Sequence, residues 1–276
     1  MQSKTLMVVG MHRSGTSLIT NWLQRCGLQV GERLAGADIG NAEGHFEDVE
    51  FLRMHEEILV SNDLDPTGLV YDKEIDINVY QREKLKSVIK VKNQRYKQWG
   101  WKEPRTCLFL KLYRELLPGS KYLVIVRDYP AVVNSLLKRD FTFVDRRYLA
   151  RGRFTRFLWA TYKRDREKRK FYSEHTEYYL KVWIDYNEHI LSMLAELSPE
   201  DYMVVNYSQL KKNDTQVFSL LTNTWRFALK YFSFKDVYRE ELISNTVDLY
   251  PFISDRSLLS KAKNVEDEFK KYMKAS

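Results

Sequence analysis

The order of apolar and amphipathic segments predicts an α/β fold, a parallel sheet covered by helices on both faces. Three observations carry this. Leu6 to Val9 form an unbroken apolar run that leads through a short polar loop into an amphipathic segment, a second such run spans Tyr122 to Val126, and a third strand, apolar from Tyr202 to Val205, spans Tyr202 to Tyr207. Apolar runs of this length without polar alternation read as strands buried on both faces. Their alternation with helical segments calls for crossover connections and therefore parallel pairing, with ligands at the carboxyl ends of the strands.

Each element has its own signal. Gly10 ends the first strand, and Leu18, Ile19, Trp22, Leu23 and Cys26 then recur at helical spacing until Gly27 stops the helix. A strand at Trp99 to Trp101, a helix from Thr106 to Leu117, the strand at Tyr122 to Val126 and a helix from Ala131 to Arg139 follow. A long helix from Glu177 to Leu197 carries Trp183, Tyr186, Ile190, Met193, Leu194 and Leu197 as one stripe, a core-facing pattern. The polar segment from Lys261 to Ser276 reads as a surface helix. The chain, residues 1–276, is expected to form a single domain, with a basic, aromatic-rich insertion over 140–175 and a helical tail over 255–276.

Composition narrows the class. With 44% hydrophobic residues in 276 the chain buries a large core and is not disordered. No apolar run reaches membrane-spanning length and no basic segment precedes an apolar stretch at the N-terminus, which predicts a cytoplasmic protein. Cys26 and Cys107 have no metal-ligand spacing and read as reduced, packed thiols. The net charge of +8 suits an anionic ligand but is concentrated between Lys138 and Lys170, where Phe154, Phe157, Leu158, Trp159 and Tyr162 are interleaved with lysines and arginines. That stretch reads by default as a solvated face, with an acceptor-site lid as the functional alternative; no nucleic-acid-binding motif accompanies it.

The loop after the first strand is the strongest functional signal. Backbone N–H groups of Ser14, Gly15, Thr16 and Ser17 stand at a helix N-terminus, where unpaired donors and the helix dipole attract a phosphate or sulfate. The spacing from Gly10 to Gly15 is that of a nucleotide-binding P-loop, but Thr16 occupies the lysine position. The positive charge lies instead inside the loop at Arg13, beside His12, and Arg127 follows the strand ending at Val126, where a metal-holding carboxylate often stands. The loop is suited to an anion held without a metal ion.

GMHRSGTS resembles the 5'-phosphosulfate loop of sulfotransferases that use 3'-phosphoadenosine 5'-phosphosulfate (PAPS), particularly the bacterial type. RDYPAVVNSLLKR resembles the family's 3'-phosphate segment, which implies that Arg127 and Ser135 bind that phosphate. The family often has proline two residues after the arginine; here Tyr129 fills that place and Pro130 follows. WGWKEPRT resembles the Lys-x-Pro element between the two phosphate sites, and VVNYSQL resembles the segment that sets an aromatic, here Tyr207, near the adenine. The four segments occur in the family's order.

The resemblance implies transfer of a sulfuryl group from PAPS, without a metal, to a hydroxyl or amine of a small metabolite, glycolipid or glycan, by in-line displacement. Ser14 to Ser17 would hold the 5'-phosphate, and Arg13 and Lys102, with His12 third, would neutralise charge on the sulfuryl group and leaving oxygen. Three candidates remain for the general base: Glu47, whose segment GNAEGHFED resembles the glutamate-bearing segment of carbohydrate-type members, its neighbour His45, and Glu103, near the catalytic histidine position of cytosolic members. The competing reading is a P-loop kinase or nucleotide-binding module with Thr16 as a loop variant; a third is basic binding to an acidic polymer. The lack of an anchor implies a soluble bacterial biosynthetic enzyme rather than a Golgi type.

Overall fold

The computed structural model describes residues 3–36, 44–238 and 247–274, without the side chains of Tyr207, Ser208, Gln209 and Lys274. Four parallel strands, β1 (Lys4–Val9), β2 (Gln98–Lys102), β3 (Lys121–Val126) and β4 (Tyr202–Asn206), pair in the order β2-β1-β3-β4. The chain leaves β1 toward β2 on one side and then crosses to β3 on the other, so the connections reverse direction between β1 and β3. A reversal of this kind opens a crevice at the carboxyl ends of the two strands.

Pleating assigns the side chains of the strands to two cores. Leu6, Val8, Leu123, Ile125, Met203 and Val205 face one side, where α1 (Thr16–Arg25) contributes Ile19, Trp22 and Leu23 and α8 (Tyr207–Ser219) contributes Leu210 and Val217. Met7, Val9, Tyr122, Val124, Tyr202 and Val204 face the larger core. There they meet α2 (Val49–Ser61), α3 (Val79–Arg95), α4 (Leu110–Leu116), α5 (Tyr129–Leu149) and α7 (Arg164–Glu196). Phe51, Trp99, Trp101 and Tyr113 stack and tilt against one another beneath β2, with Phe51 and Trp101 centroids 4.4 Å apart. Aromatic pairs of this kind add about 1 kcal/mol beyond the area they bury.

The expected elements are present with shifted limits. α1 ends in a Schellman motif: the Gly27 N–H donates to the Gln24 carbonyl and the Leu28 N–H to the Leu23 carbonyl, with Gly27 at φ 98°. The segment expected as one helix from Thr106 splits into a 3-10 turn, Pro104–Phe109, and α4. Pro104 permits the tight turn at its start. α5 and α7 are longer than their apolar stripes because the basic stretch between them is also helical, including α6 (Arg153–Leu158) and a π-turn at Trp159–Lys163. The C-terminal α9 (Arg256–Lys274) is more than a surface helix: Leu258, Ala262, Val265 and Phe269 are buried against α7 and β4. Cys26 and Cys107 are buried free thiols. No described helix is long and apolar enough to cross a membrane.

Candidate active site

Gly10 brings the loop after β1 tightly onto β3, since a Cβ there would lie 2.6 Å from the Ile125 carbonyl oxygen and 2.8 Å from Cγ2 of Thr16. Arg13 then adopts a left-handed backbone, φ 68°, which costs a non-glycine residue of the order of 1 kcal/mol. The expectation of four unpaired N–H groups needs one correction: the Ser14 N–H closes a turn on the Met11 carbonyl at 3.2 Å. Gly15 is the N-cap of α1 and no side chain caps the helix. The first-turn donors at Thr16 and Ser17 therefore have no intrahelical acceptor and are available to an anion.

The second anchor lies at the end of β3, one strand away. Asp128 caps α5, accepting from the Ala131 N–H at 3.2 Å, and this cap starts the helix that carries Ser135. Arg127 Nη1 donates to the Arg13 carbonyl at 2.9 Å, and Arg13 Nε donates to Ser135 Oγ at 2.9 Å. Arg127 thus clamps the strained residue of the first loop, and the Arg13 side chain crosses the crevice to the serine. Tyr129, standing where the family often has proline, donates its backbone N–H to Glu266 of α9 at 2.9 Å. A proline has no such donor, so the departure is matched by a contact from the C-terminal helix.

Lys102, at the end of β2, is the hub of the third group. Its ammonium is buried, 2.9 Å from Glu47 Oε1 and 3.2 Å from Ser17 Oγ. Burial lowers the Lys102 pKa and the Glu47 carboxylate opposes that shift. Ser17 Oγ in turn donates to the His45 carbonyl at 3.0 Å, tying the 44–48 segment over the loop, and His45 Nδ1 lies 3.8 Å from Glu47. His12, Arg13, Thr16, Ser17, His45, Glu47 and Lys102 line one cleft of about 280 Å³, completed by Thr67, Pro104, Arg139, Asp140 and Phe143. Nε2 of His12 is buried with no hydrogen-bond partner among the described residues. Burial, then Arg105, pushes the His12 pKa well below its ordinary value.

Residues 5–224 match the model of the Sulfotransferase family. The chain belongs to this family. Among solved structures it resembles the sulfotransferase STF9 of Mycobacterium avium, with a TM-score of 0.61 at 13% identity over 96% of this chain and 76% of that one. It also resembles the sulfotransferase domain of a Synechococcus olefin synthase, with a TM-score of 0.50 at 14% identity over 97% and 95% of the two chains. At these identities the likeness shows the shared fold. No curated protein matches the chain significantly.

In this sulfotransferase the third base candidate, Glu103, points into the core and is absent from the cleft lining. Its Oε1 accepts from Arg105 Nη1 at 2.5 Å and its Oε2 pairs with His55 Nδ1, while His55 Nε2 meets the Tyr113 hydroxyl at 2.7 Å. Burial alone would raise the Glu103 pKa, but Arg105 and then His55 outweigh it and hold the carboxyl below the usual range. His55 and Tyr113 carry no functional signal in the sequence, since both sit at core positions of amphipathic helices. Arg139, Asp140 and Phe143 are missed for another reason: they belong to the basic, aromatic-rich stretch, and only the direction of α5 separates them from its solvated members. Tyr207 begins α8 rather than ending β4, and its side chain lies outside the described residues.

Proposed function

We propose that the protein transfers the sulfuryl group of PAPS to a hydroxyl of a small metabolite, glycolipid or glycan. The observation that carries this reading is the Arg127–Arg13–Ser135 linkage, which joins the loop after β1 to the start of α5. Two anion anchors on one crevice suit a donor with phosphates at both ends of its adenosine. The cradle fits the loop of such a donor: Gly10 leaves no room for a Cβ, α1 is uncapped, and an oxygen near His12 Nε2 would satisfy a buried atom that otherwise lacks a partner.

PAPS supplies the activated sulfuryl group on a phosphate leaving group. The first-turn N–H groups at Thr16 and Ser17 hold the 5'-phosphate, while Arg127, Ser135 and Arg13 hold the 3'-phosphate. Glu47 accepts the acceptor's proton as the acceptor oxygen bonds to sulfur and the bond from sulfur to the phosphate oxygen breaks. Lys102, shared between Glu47 and Ser17, neutralises charge on the sulfuryl and leaving oxygens as the bond breaks. Glu47 is preferred to Glu103 because it lines the cleft, whereas both Glu103 oxygens are engaged by cationic or hydrogen-bonding partners in the core. His45 stands beside Glu47, its Nδ1 3.8 Å from the carboxylate. The described residues act as one domain, with α9 supporting the start of α5 through Glu266. The buried free thiols suit a reducing cytoplasm.

Thermal unfolding with product nucleotide tests the reading. Adenosine 3',5'-bisphosphate without magnesium should raise the melting temperature, by the equivalent of about 2.7 kcal/mol at a hundredfold excess over its Kd. ATP with magnesium should do little. Stabilisation by ATP and magnesium together with indifference to the bisphosphate would overturn it.

A further inference from the structure

Beyond Phe143, at the wall of the cleft, α5 runs outward for six more residues, about 9 Å, to Leu149, and the chain returns through α6 and the π-turn into α7. This tip has its own small core. Trp159 is buried, stacked on Tyr148 at 3.9 Å, and donates through Nε1 to Asp145 at 2.7 Å, while Arg164 forks onto the same carboxylate with two bonds of 2.9 Å. Against this ordered base, Phe154, Phe157 and Tyr162 are 75%, 59% and 71% exposed. Phe154 and Phe157 are three apart on α6 and share a side, as do their neighbours Arg153 and Arg156. Over 138–170 there are thirteen lysines and arginines against four carboxylates, so with +8 overall the rest of the chain is close to neutral.

We propose that this tip docks on the surface of an anionic lipid bilayer, with Phe154, Phe157 and Tyr162 entering the headgroup region and the surrounding arginines and lysines meeting lipid phosphates. A bilayer offers both things the tip lacks, an apolar layer for the rings and a plane of negative charge around them. An acidic polymer would satisfy the arginines and leave the rings in water. A single nucleic-acid strand is bound along a basic groove that tracks its backbone, whereas these rings stand on an outward turn. Because α5 carries both Phe143 and the base of the tip, docking sets the mouth of the cleft close to the membrane surface.

Vesicle sedimentation at low salt tests this without any sulfuryl transfer. The protein should pellet with vesicles of equimolar phosphatidylglycerol and phosphatidylcholine and stay in solution with phosphatidylcholine alone. Phe154→Ser with Phe157→Ser should weaken binding about tenfold or more. Arg153→Gln with Arg156→Gln should weaken it by a similar factor at low salt, a difference that shrinks as salt screens the charges. All four positions are exposed, so the melting temperature of each variant should match the parent and a folding defect is separable. A parent protein that ignores the mixed vesicles overturns the proposal. So does a phenylalanine pair without effect beside an arginine pair that matters, with a single-stranded oligonucleotide displacing the vesicles, which is the pattern of charge-only polymer binding.

Discussion

Glu47 and Glu103 both lie within reach of the end of β2, yet their surroundings set them apart. Glu47 reaches the cleft from the segment before α2 and shares one buried ammonium, Lys102, while a fraction of its side chain remains accessible. Glu103 immediately follows Lys102, but the strand alternation turns it to the opposite side, where Arg105, His55 and Tyr113 enclose it. One side chain lines the cleft and keeps 11% of its surface accessible. The other has both oxygens committed to neighbours, which makes it a support for the floor of the site. Two glutamates that look equivalent as candidate bases differ because one enters the cleft from the segment before α2, while the other, next to Lys102, turns away from it into the core.

The sharpest way to break this contrast is to neutralise each in turn. Glu47→Gln should lower kcat by about 100- to 10,000-fold with labelled donor, with little change in affinity for adenosine 3',5'-bisphosphate. Glu103→Gln should retain turnover within about tenfold but lose about 3–5 kcal/mol of stability in urea unfolding, because the Arg105 charge is left without its buried partner. If the second variant keeps its stability and loses turnover, the two roles are exchanged.

A smaller effect is expected at Arg127 and Ser135, the second candidate anion anchor. Ser135→Ala removes the acceptor of the Arg13 Nε hydrogen bond and should weaken bisphosphate binding about tenfold by calorimetry, with Arg127→Gln at least as severe. An unchanged Kd in both variants would detach this anchor from the donor.

The smallest expected effect is in the pH dependence of stability. The His12 pKa is depressed in the folded state, so below the ordinary value of 6.5 the unfolded chain binds a proton that the folded chain does not. This contribution to stability is complete above pH 6.5 and is lost as pH falls toward the folded value. His12→Gln should therefore narrow the loss of unfolding free energy between pH 7 and pH 5; a variant with the parent's slope would show that the ring does not titrate differently on folding. Glu103 acts in the same direction lower down, its stabilisation present above its ordinary value of 4.5 and lost in more acid solution.

Much of the site was legible before any fold was known, because local chemistry writes it into short segments. The run from Leu6 through Gly10 to Ser17 specifies strand, loop and uncapped helix within a dozen residues, and Arg127 with Ser135 needs only the start of one helix. The Ser14 N–H closes on a carbonyl three residues back, a turn that spacing does not disclose. The meeting of Arg13 with Ser135 was invisible for a different reason: 122 residues separate them, and they touch only because β1 and β3 are neighbours.

By itself, then, the sequence determined the order of strands and helices and the family, since each depends on residues close together along the chain. The tertiary structure alone decided which glutamate is accessible, which arginines face the cleft and which stand on the exposed tip, and that the Tyr129 N–H meets Glu266 of α9 at the start of α5. Those outcomes depend on burial and on partners brought from distant elements, and desolvation acts on position in space rather than on position in sequence.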